Sequence, residues 1–483
     1  MALSRTTRRF IVGGLIIAFC VIAPALVLYA RGFRYDFVDQ EVRKVGMIML
    51  AYDPLTATAT VDDQSAPFDL TALGYDRFTN LAEGSYFIEV AEEGYHSWSK
   101  NLDIEPEVVT WARYVTLFLT DLKPLDLTTL PQITAQDFSP DRKWLCATGI
   151  ENDSSVLLIT SLTAETDPKR ITLSELSPRL SDNLDVTKIT FAPDSTHILL
   201  TLQGEKNEIK HVVFSRELTS DEPVTIIEET LPDLTEVRWH PSTPSIVYAL
   251  QNQDLYRIAL NELNTKKLAS EVRGFDPNAS GLYFLRSRDE QIRDEPQASL
   301  KRMGLDGSNP ETLSGEIELT DSYEIATSAN NRLAVLTDTG HLYIVERENT
   351  ERIAMNVNKM EWGIDNDEED STDELLLYAN LHEIYIYDPL IQNSDAITRY
   401  TEGIANVIWY VGNYKYIIFT VGGKLKIIEL DERDKRNVAD LWKTSDDESI
   451  EPDTLYIDND AEHIFLRIRT PEKGQIRDFT IRE

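Results

Sequence analysis

An all-β chain behind one membrane-spanning helix is the fold class the sequence predicts, and three observations predict it. Residues 10–30 form an apolar run without a charge. Residues 46–120 alternate apolar and polar side chains in short segments broken by turn residues, the pattern of half-buried strands. From residue 121 a strand–turn–strand unit recurs about every 45 residues, the spacing of four-stranded propeller blades. The predicted order is a cytoplasmic tail (1–9), a transmembrane helix (10–30), a juxtamembrane linker (31–45), a small β-sandwich (46–120) and a β-propeller (121–483).

The helix comes first. "FIVGGLIIAFCVIAPALVLYA", Phe10 to Ala30, has the length of a bilayer span at about 1.5 Å per residue. Pro24 and the Gly13–Gly14 pair are tolerated in such a helix. A cleaved signal peptide is the competing reading, because "APA" at Ala23–Ala25 imitates a cleavage site; the run continues past it, which favours an uncleaved anchor. Phe19 precedes Cys20 where a lipoprotein signal has a small residue. Arg8 and Arg9 flank one end of the span, and Arg31 and Arg34 the other, so the basic residues nearly balance. Moving a short tail rich in arginine across the bilayer is unfavourable, which places the N-terminus in the cytoplasm and the bulk of the chain outside.

Charge narrows the partners. The 483 residues carry 47 − 82 = −35, and the five arginines of residues 1–34 stand opposite no acid, so the remainder carries 42 − 82 = −40. Such a field repels phosphate backbones and argues against nucleic acid. The acids are scattered through strand-like sequence and read first as a solvated surface. With Cys20 in the apolar run, Cys146 is the single thiol of the remainder and indicates no redox compartment.

The sandwich segment contains "DPLTATATVDDQ" and "NLAEGSYFIEVAEEGYHSWSKNLDIEP". Gly84 and Gly94 stand at turns, Tyr86 and Ile88 share one strand face, and Tyr95 and Trp98 are placed to cover the edge of a small core rather than a ligand. An antiparallel domain is expected. With Pro54, Ala57, Leu81, Gly84, Tyr86, Gly94, Tyr95 and Trp98 in place, this stretch resembles the PEGA domain, a compact β-sandwich of prokaryotic membrane and surface proteins. Leu55 and Thr56 stand where that family has its Glu-Gly, and Ala66–Pro67 half matches a later Thr-Pro. "LYARGFRYDF", Leu28 to Phe37, resembles the juxtamembrane run of membrane-anchored members. The resemblance implies a prokaryotic, membrane-tethered protein and implies no activity.

Eight repeat units follow, beginning with "ITAQDFSPDRKWLCATG" and ending with "DTLYIDNDAEHIFLRIR". The last supplies three strands, and Pro124–Thr129 is the expected fourth, pairing the first strand with the last blade to remove an exposed edge. Eight blades are favoured, and seven remain open because the units near 298–315 and 350–358 are irregular. The turns "FSPD" (Phe138–Asp141) and "FAPD" (Phe191–Asp194), with the looser "WHPS" (Trp239–Ser242), resemble those of TolB-like and WD40-like propellers. Their proline and aspartate are turn chemistry, and the aromatic is expected to anchor its strand in its blade.

Catalytic constellations are sparse. The seven histidines are scattered, there is no HExxH or GxSxG, and Cys146 reads as a small buried hydrophobe. The acidic run "DNDEEDSTDE", Asp365 to Glu374, offers Asp365, Asp367 and Glu369 as weak Ca²⁺ ligands, but it lacks the glycine and terminal glutamate of an EF-hand and reads first as a solvated loop. No cofactor is expected. The function expected is a non-enzymatic, single-pass, cell-surface interaction protein (scaffold, adhesion or envelope organisation) whose acidic propeller recognises a protein or glycan. The rivals are an accessory subunit of an envelope transport or assembly machine, as in the TolB use of a propeller, and an extracytoplasmic glycan- or peptide-cleaving enzyme.

Overall fold

The computed structural model describes the chain except residues 1–4, 31, 37–40, 66–74, 153, 164–166, 205–207, 219–223, 263, 288–296, 347–348 and 366–372. It is nearly all-β after one apolar helix, and it divides into two compact units. One holds residues 1–121 with 428–441 and 482–483; the other holds 122–427 and 442–481.

Helix α1 (Arg5–Ala30) contains a 19-residue stretch, Ile11–Tyr29, long and apolar enough to cross a membrane. None of its residues is buried, and large side chains such as Ile17 and Phe19 are exposed. A core helix of a soluble protein would bury them, so the stretch is a membrane span or a signal sequence.

In the same unit, eight strands make two four-stranded sheets. The first joins β1 (Phe33–Asp36), β2 (Glu41–Asp53), β5 (Asp76–Ala82) and β8 (Val109–Thr116); the second joins β3 (Thr58–Val61), β4 (Gln64–Ser65), β6 (Gly84–Ala91) and β7 (Trp98–Ile104). The expected all-antiparallel pairing needs one correction: β8 runs parallel to β2, with Ile48 opposite Thr110 and Leu50 opposite Ala112. Sequence alternation reports which face is buried and is blind to strand direction. Ile48, Leu50, Phe78, Ile88, Val90, Trp98, Leu102 and Ile104 fill the space between the sheets.

Eight further sheets lie in the second unit, apart from residues 428–441 of the seventh, and in the first six each strand is antiparallel to the next in sequence. The first strands of seven blades are Gln132–Phe138, Asp185–Phe191, Leu234–Trp239, Val272–Asn278, Tyr323–Thr327, Lys359–Asp365 and Ile404–Trp409. The eighth sheet has an interrupted first strand, Ser449–Ile450 and Tyr456–Ile457, then His463–Arg469 and Gly474–Thr480. It is completed by β9 (Leu125–Leu130), which pairs antiparallel with Gly474–Thr480. The expected ring closure is thus present, and eight blades replace the seven-or-eight choice; 297–303, 311–318 and 349–354 are strands, and the irregularity expected there is present as register shifts in their pairings rather than as missing blades.

Cores lie between adjacent blades. Cys146, Leu157 and Ile159 of the first pack with Ile189, Ile198 and Leu200 of the second. Each sheet is therefore covered on both faces. That is why second strands such as His197–Gln203 and Tyr416–Val421 read as unbroken apolar runs.

Candidate functional site: the polar lining of the propeller axis

First strands of neighbouring blades contact one another at most junctions, whereas fourth strands do so chiefly between the fourth and fifth blades, so the first strands are innermost. The first two end in turns whose chemistry the sequence showed. In "FSPD", Arg142 N donates to the Ser139 carbonyl (2.7 Å) and Ser139 Oγ bonds Asp141 Oδ1 (2.5 Å). In "FAPD", Asp194 Oδ1 accepts from Thr196 N and His197 N (3.0 and 3.1 Å). These are local turn bonds, as the residue types require.

The aromatic that precedes each turn has a longer reach than the sequence suggested. Trp239 Nε1 donates to the Thr190 carbonyl of the preceding blade (3.1 Å), Trp362 Nε1 to Ala326 (3.1 Å) and Trp409 Nε1 to Glu361 (3.1 Å). The same step from the first to the second blade is made by Phe191 N, which donates to Asp137 Oδ2 (2.7 Å). The aromatic thus ties blade to blade, beyond the expected role of anchoring a strand in its own blade.

One residue before the aromatic, the strand turns its other face. There stand Asp137, Arg238 and Glu361, and the register brings further charges beside them. Burial pushes the Asp137 carboxyl up to about 6, against the Phe191 and Phe138 amides and Lys188, which favour its ionised form. Asp276 is likewise raised to about 6 by burial, despite Arg238 Nη1 3.0 Å from Oδ1, with Glu236 and Glu324 adding repulsion. Arg238 bonds Glu236 Oε1 as well (2.7 Å), and the two carboxylates outweigh burial in holding its pKa above the ordinary value. Glu361 is raised by burial, opposed by the Trp409 amide, Lys359 and Arg142.

Around Glu361 the first, sixth, seventh and eighth blades converge. Arg142 donates Nη1 to the Ile457 and Asp458 carbonyls (2.7 and 2.9 Å) and lies 5.2 Å from the Tyr456 ring. Tyr456 stacks on Phe138 at 3.9 Å, and burial lifts its phenol to about 12. Tyr414 is raised by burial and by Glu361. The lining therefore carries acids that hold protons unusually tightly, interleaved with arginine and lysine: a surface for hydrogen-bonded and charge-complementary recognition.

The other candidates are dispersed. His197, His211, His341 and His463 each pair through Nδ1 with a separate carboxylate, Asp194, Glu228, Glu318 and Asp478 respectively. Among the described residues, no three His, Cys, Asp or Glu side chains are grouped to hold a metal. Asp367 and Glu369 lie outside the described residues, as does the side chain of Asp365 at the end of its strand. Cys146 is fully buried, and burial with Asp137 nearby holds its thiol well above the ordinary value.

In the sandwich, Ala57 and Trp98 enter the core, with Leu81, Tyr86 and Tyr95 packed against it. Pro54 opens a turn closed by Ala57 N on its carbonyl (3.1 Å). Gly94 has φ +89° with open space around a would-be Cβ, so its requirement is conformational. Arg34 caps the end of α1, whereas Arg31 and the side chains of Arg8 and Arg9 lie outside the described residues.

The sequence reading missed the axial charges and the buried Lys100. A signal for the former existed: a charged residue immediately before the aromatic of the turn, in "QDFSP", "VRWHP" and "KMEWG".

No protein-family model matches the chain, and no curated protein does. Solved structures similar to it are β-propellers. An oligogalacturonate lyase in complex with manganese is 11% identical, over 76% of this chain and 99% of that one, with TM-score 0.40. The Dos1 propeller is 10% identical over 74% and 94% (TM-score 0.46), and the RRP9 WD40 repeats 8% over 75% and 100% (0.40). The class, defined by the chain's own sheets, is an eight-bladed propeller protein with an N-terminal apolar helix.

Proposed function

We propose that the chain is a membrane-anchored, extracytoplasmic interaction protein without enzymatic activity, whose propeller recognises a protein or glycan partner. The observation that carries the reading is the exposed apolar stretch Ile11–Tyr29 joined directly to two all-β units. The sandwich, PEGA-like in its Pro54–Ala57 turn and its Tyr86, Tyr95 and Trp98 packing, serves as a spacer. The axial charges supply recognition: salt-bridged Arg238 and carboxylates whose burial favours the protonated form suit binding by shape and hydrogen bonds. The accessory-subunit reading, which follows the TolB use of a propeller, differs in predicting a stable stoichiometric partner.

Protease protection on intact cells, with a tag at Glu483, tests the topology. Loss of the tag without lysis supports the reading. Protection until lysis, in cells whose envelope admits the protease, places the propeller in the cytoplasm and removes it. A stoichiometric partner in detergent extracts selects the accessory-subunit form.

A further inference from the structure

Where the apolar helix ends, the sandwich unit has a cleft of about 630 Å³. Tyr29, the last residue of the apolar stretch, forms one wall, so in a membrane the cleft stands at headgroup level. Val45 and Met47 of β2 provide an apolar wall, and Arg34, Arg77, Thr79 and Asn80 the polar one.

Its charge is opposite to that of the chain. Arg34 lies over the Tyr29 ring, 3.6 Å from the centroid, and donates Nη1 to the Tyr29 and Phe33 carbonyls (2.7 and 3.0 Å). Among the described residues neither Arg34 nor Arg77 has a carboxylate partner, and Arg77 is exposed. The acid in the lining, Glu107, is engaged by Lys44 at 2.8 Å. In a protein of net charge −35, two guanidinium groups at one cleft with no carboxylate partner among the described residues are conspicuous, since nearby acids would ordinarily capture them. Guanidinium matches phosphate in both charge and bidentate geometry.

We propose that this cleft binds the phosphate of an anionic phospholipid headgroup, with Arg34 and Arg77 as cationic donors, Thr79 and Asn80 as polar neighbours and the β2 side chains against the glycerol region. The site rests on reading α1 as a membrane anchor. The bound lipid then fixes the sandwich at the membrane surface.

The test uses the full-length chain. Vesicle flotation first reports whether it inserts. Native mass spectrometry from detergent micelles then compares retention of phosphatidylglycerol and phosphatidylcholine by the wild type, Arg34→Gln/Arg77→Gln, Arg34→Lys/Arg77→Lys, and the propeller control Arg399→Gln. The expected result is a preference for phosphatidylglycerol in the wild type and control, and one weakened about thirty-fold in the double glutamine variant, for two cations at about 1 kcal/mol each. The lysine variant should regain part of it. Equal retention of the two lipids by wild type, or a preference that survives the glutamine variant, overturns the site while leaving the anchor intact. Displacement of the lipid by equimolar glycerol phosphate makes it a soluble-phosphate site and overturns the lipid assignment. Failure of wild type to float removes the anchor, and the proposal with it.

Discussion

The Trp409 indole donates to the Glu361 carbonyl at 3.1 Å from the neighbouring blade, over the face of Gly363, where a Cβ would sit 2.5 Å from ring atom Cε2. A rigid ring, a bare glycine and a carbonyl thus form one inter-blade joint. Replacing Trp409 with Phe removes the bond and leaves a void, which should cost about 1–3 kcal/mol. Gly363→Ala should cost a similar amount by overpacking. Urea unfolding checks both, and because they damage the same joint, the double variant should lose less than the sum. Strict additivity would show that the joint does not act as a unit.

The axial carboxylates give the propeller a pH signature. Asp137 and Asp276 have folded-state pKa values of about 6 against an ordinary 3.8. A raised acid binds its proton more tightly when folded, so its stabilisation is present below the ordinary value and is lost as pH rises from about 4 through 6. Asp137→Asn keeps an oxygen for the Phe191 amide and removes the titration. Relative to this variant, the melting temperature of wild type should fall between pH 5 and pH 7.5. A constant difference between the two proteins would sink the assignment.

Lys100 is fully buried in the sandwich unit. Its Nζ lies 3.2 Å from Glu429 Oε2 and 3.5 Å from Asp431 Oδ2, with the Asp431 and Arg433 carbonyls at 2.5 and 3.1 Å. Trp98 Nε1 donates to the other Glu429 oxygen (2.9 Å). Lys100→Met strands buried negative charge and should destabilise by about 3–5 kcal/mol. Adding Glu429→Gln, which still accepts from Trp98, should restore part of the loss. Calorimetry of the two variants reads the difference, and no recovery in the double variant would contradict the ionic account.

Closure of the ring should be measurable at β9. Leu130 sits opposite Gly474 and packs with Ile133, Phe138 and Ile476. Leu130→Ala should cost about 2–5 kcal/mol, the range for a buried leucine. Removing 125–130 altogether should expose the Gly474–Thr480 edge and promote self-association. Light scattering distinguishes that outcome from simple loss of stability; a truncated chain that remains monomeric and equally stable would refute the closure role.

The blade repeat was legible because each unit writes its strands, prolines and turn aspartates locally. Phe138–Asp141 and Phe191–Asp194 make the turns their residue types require. The parallel β2–β8 pairing was not legible, since Ile48 and Ala112 would alternate identically in either direction. Between Ser99 and Asn101, Lys100 carries no local sign of burial; only its distant partners, more than 300 residues on, make burial tolerable. The axial site was half legible: Asp137, Arg238 and Glu361 occupy equivalent positions before an aromatic, but no local pattern places their partners from other blades.

The sequence by itself determined the apolar span, the succession of strands and a blade repeat of seven or eight units, because hydrophobic period and turn chemistry act over a few residues. Tertiary structure decided which strand meets which, that Trp239, Trp362 and Trp409 bond across blades, and that Arg34 and Arg77 face one cleft. Those outcomes depend on ring closure and on desolvation by distant chain, which act through space and leave no local period to read.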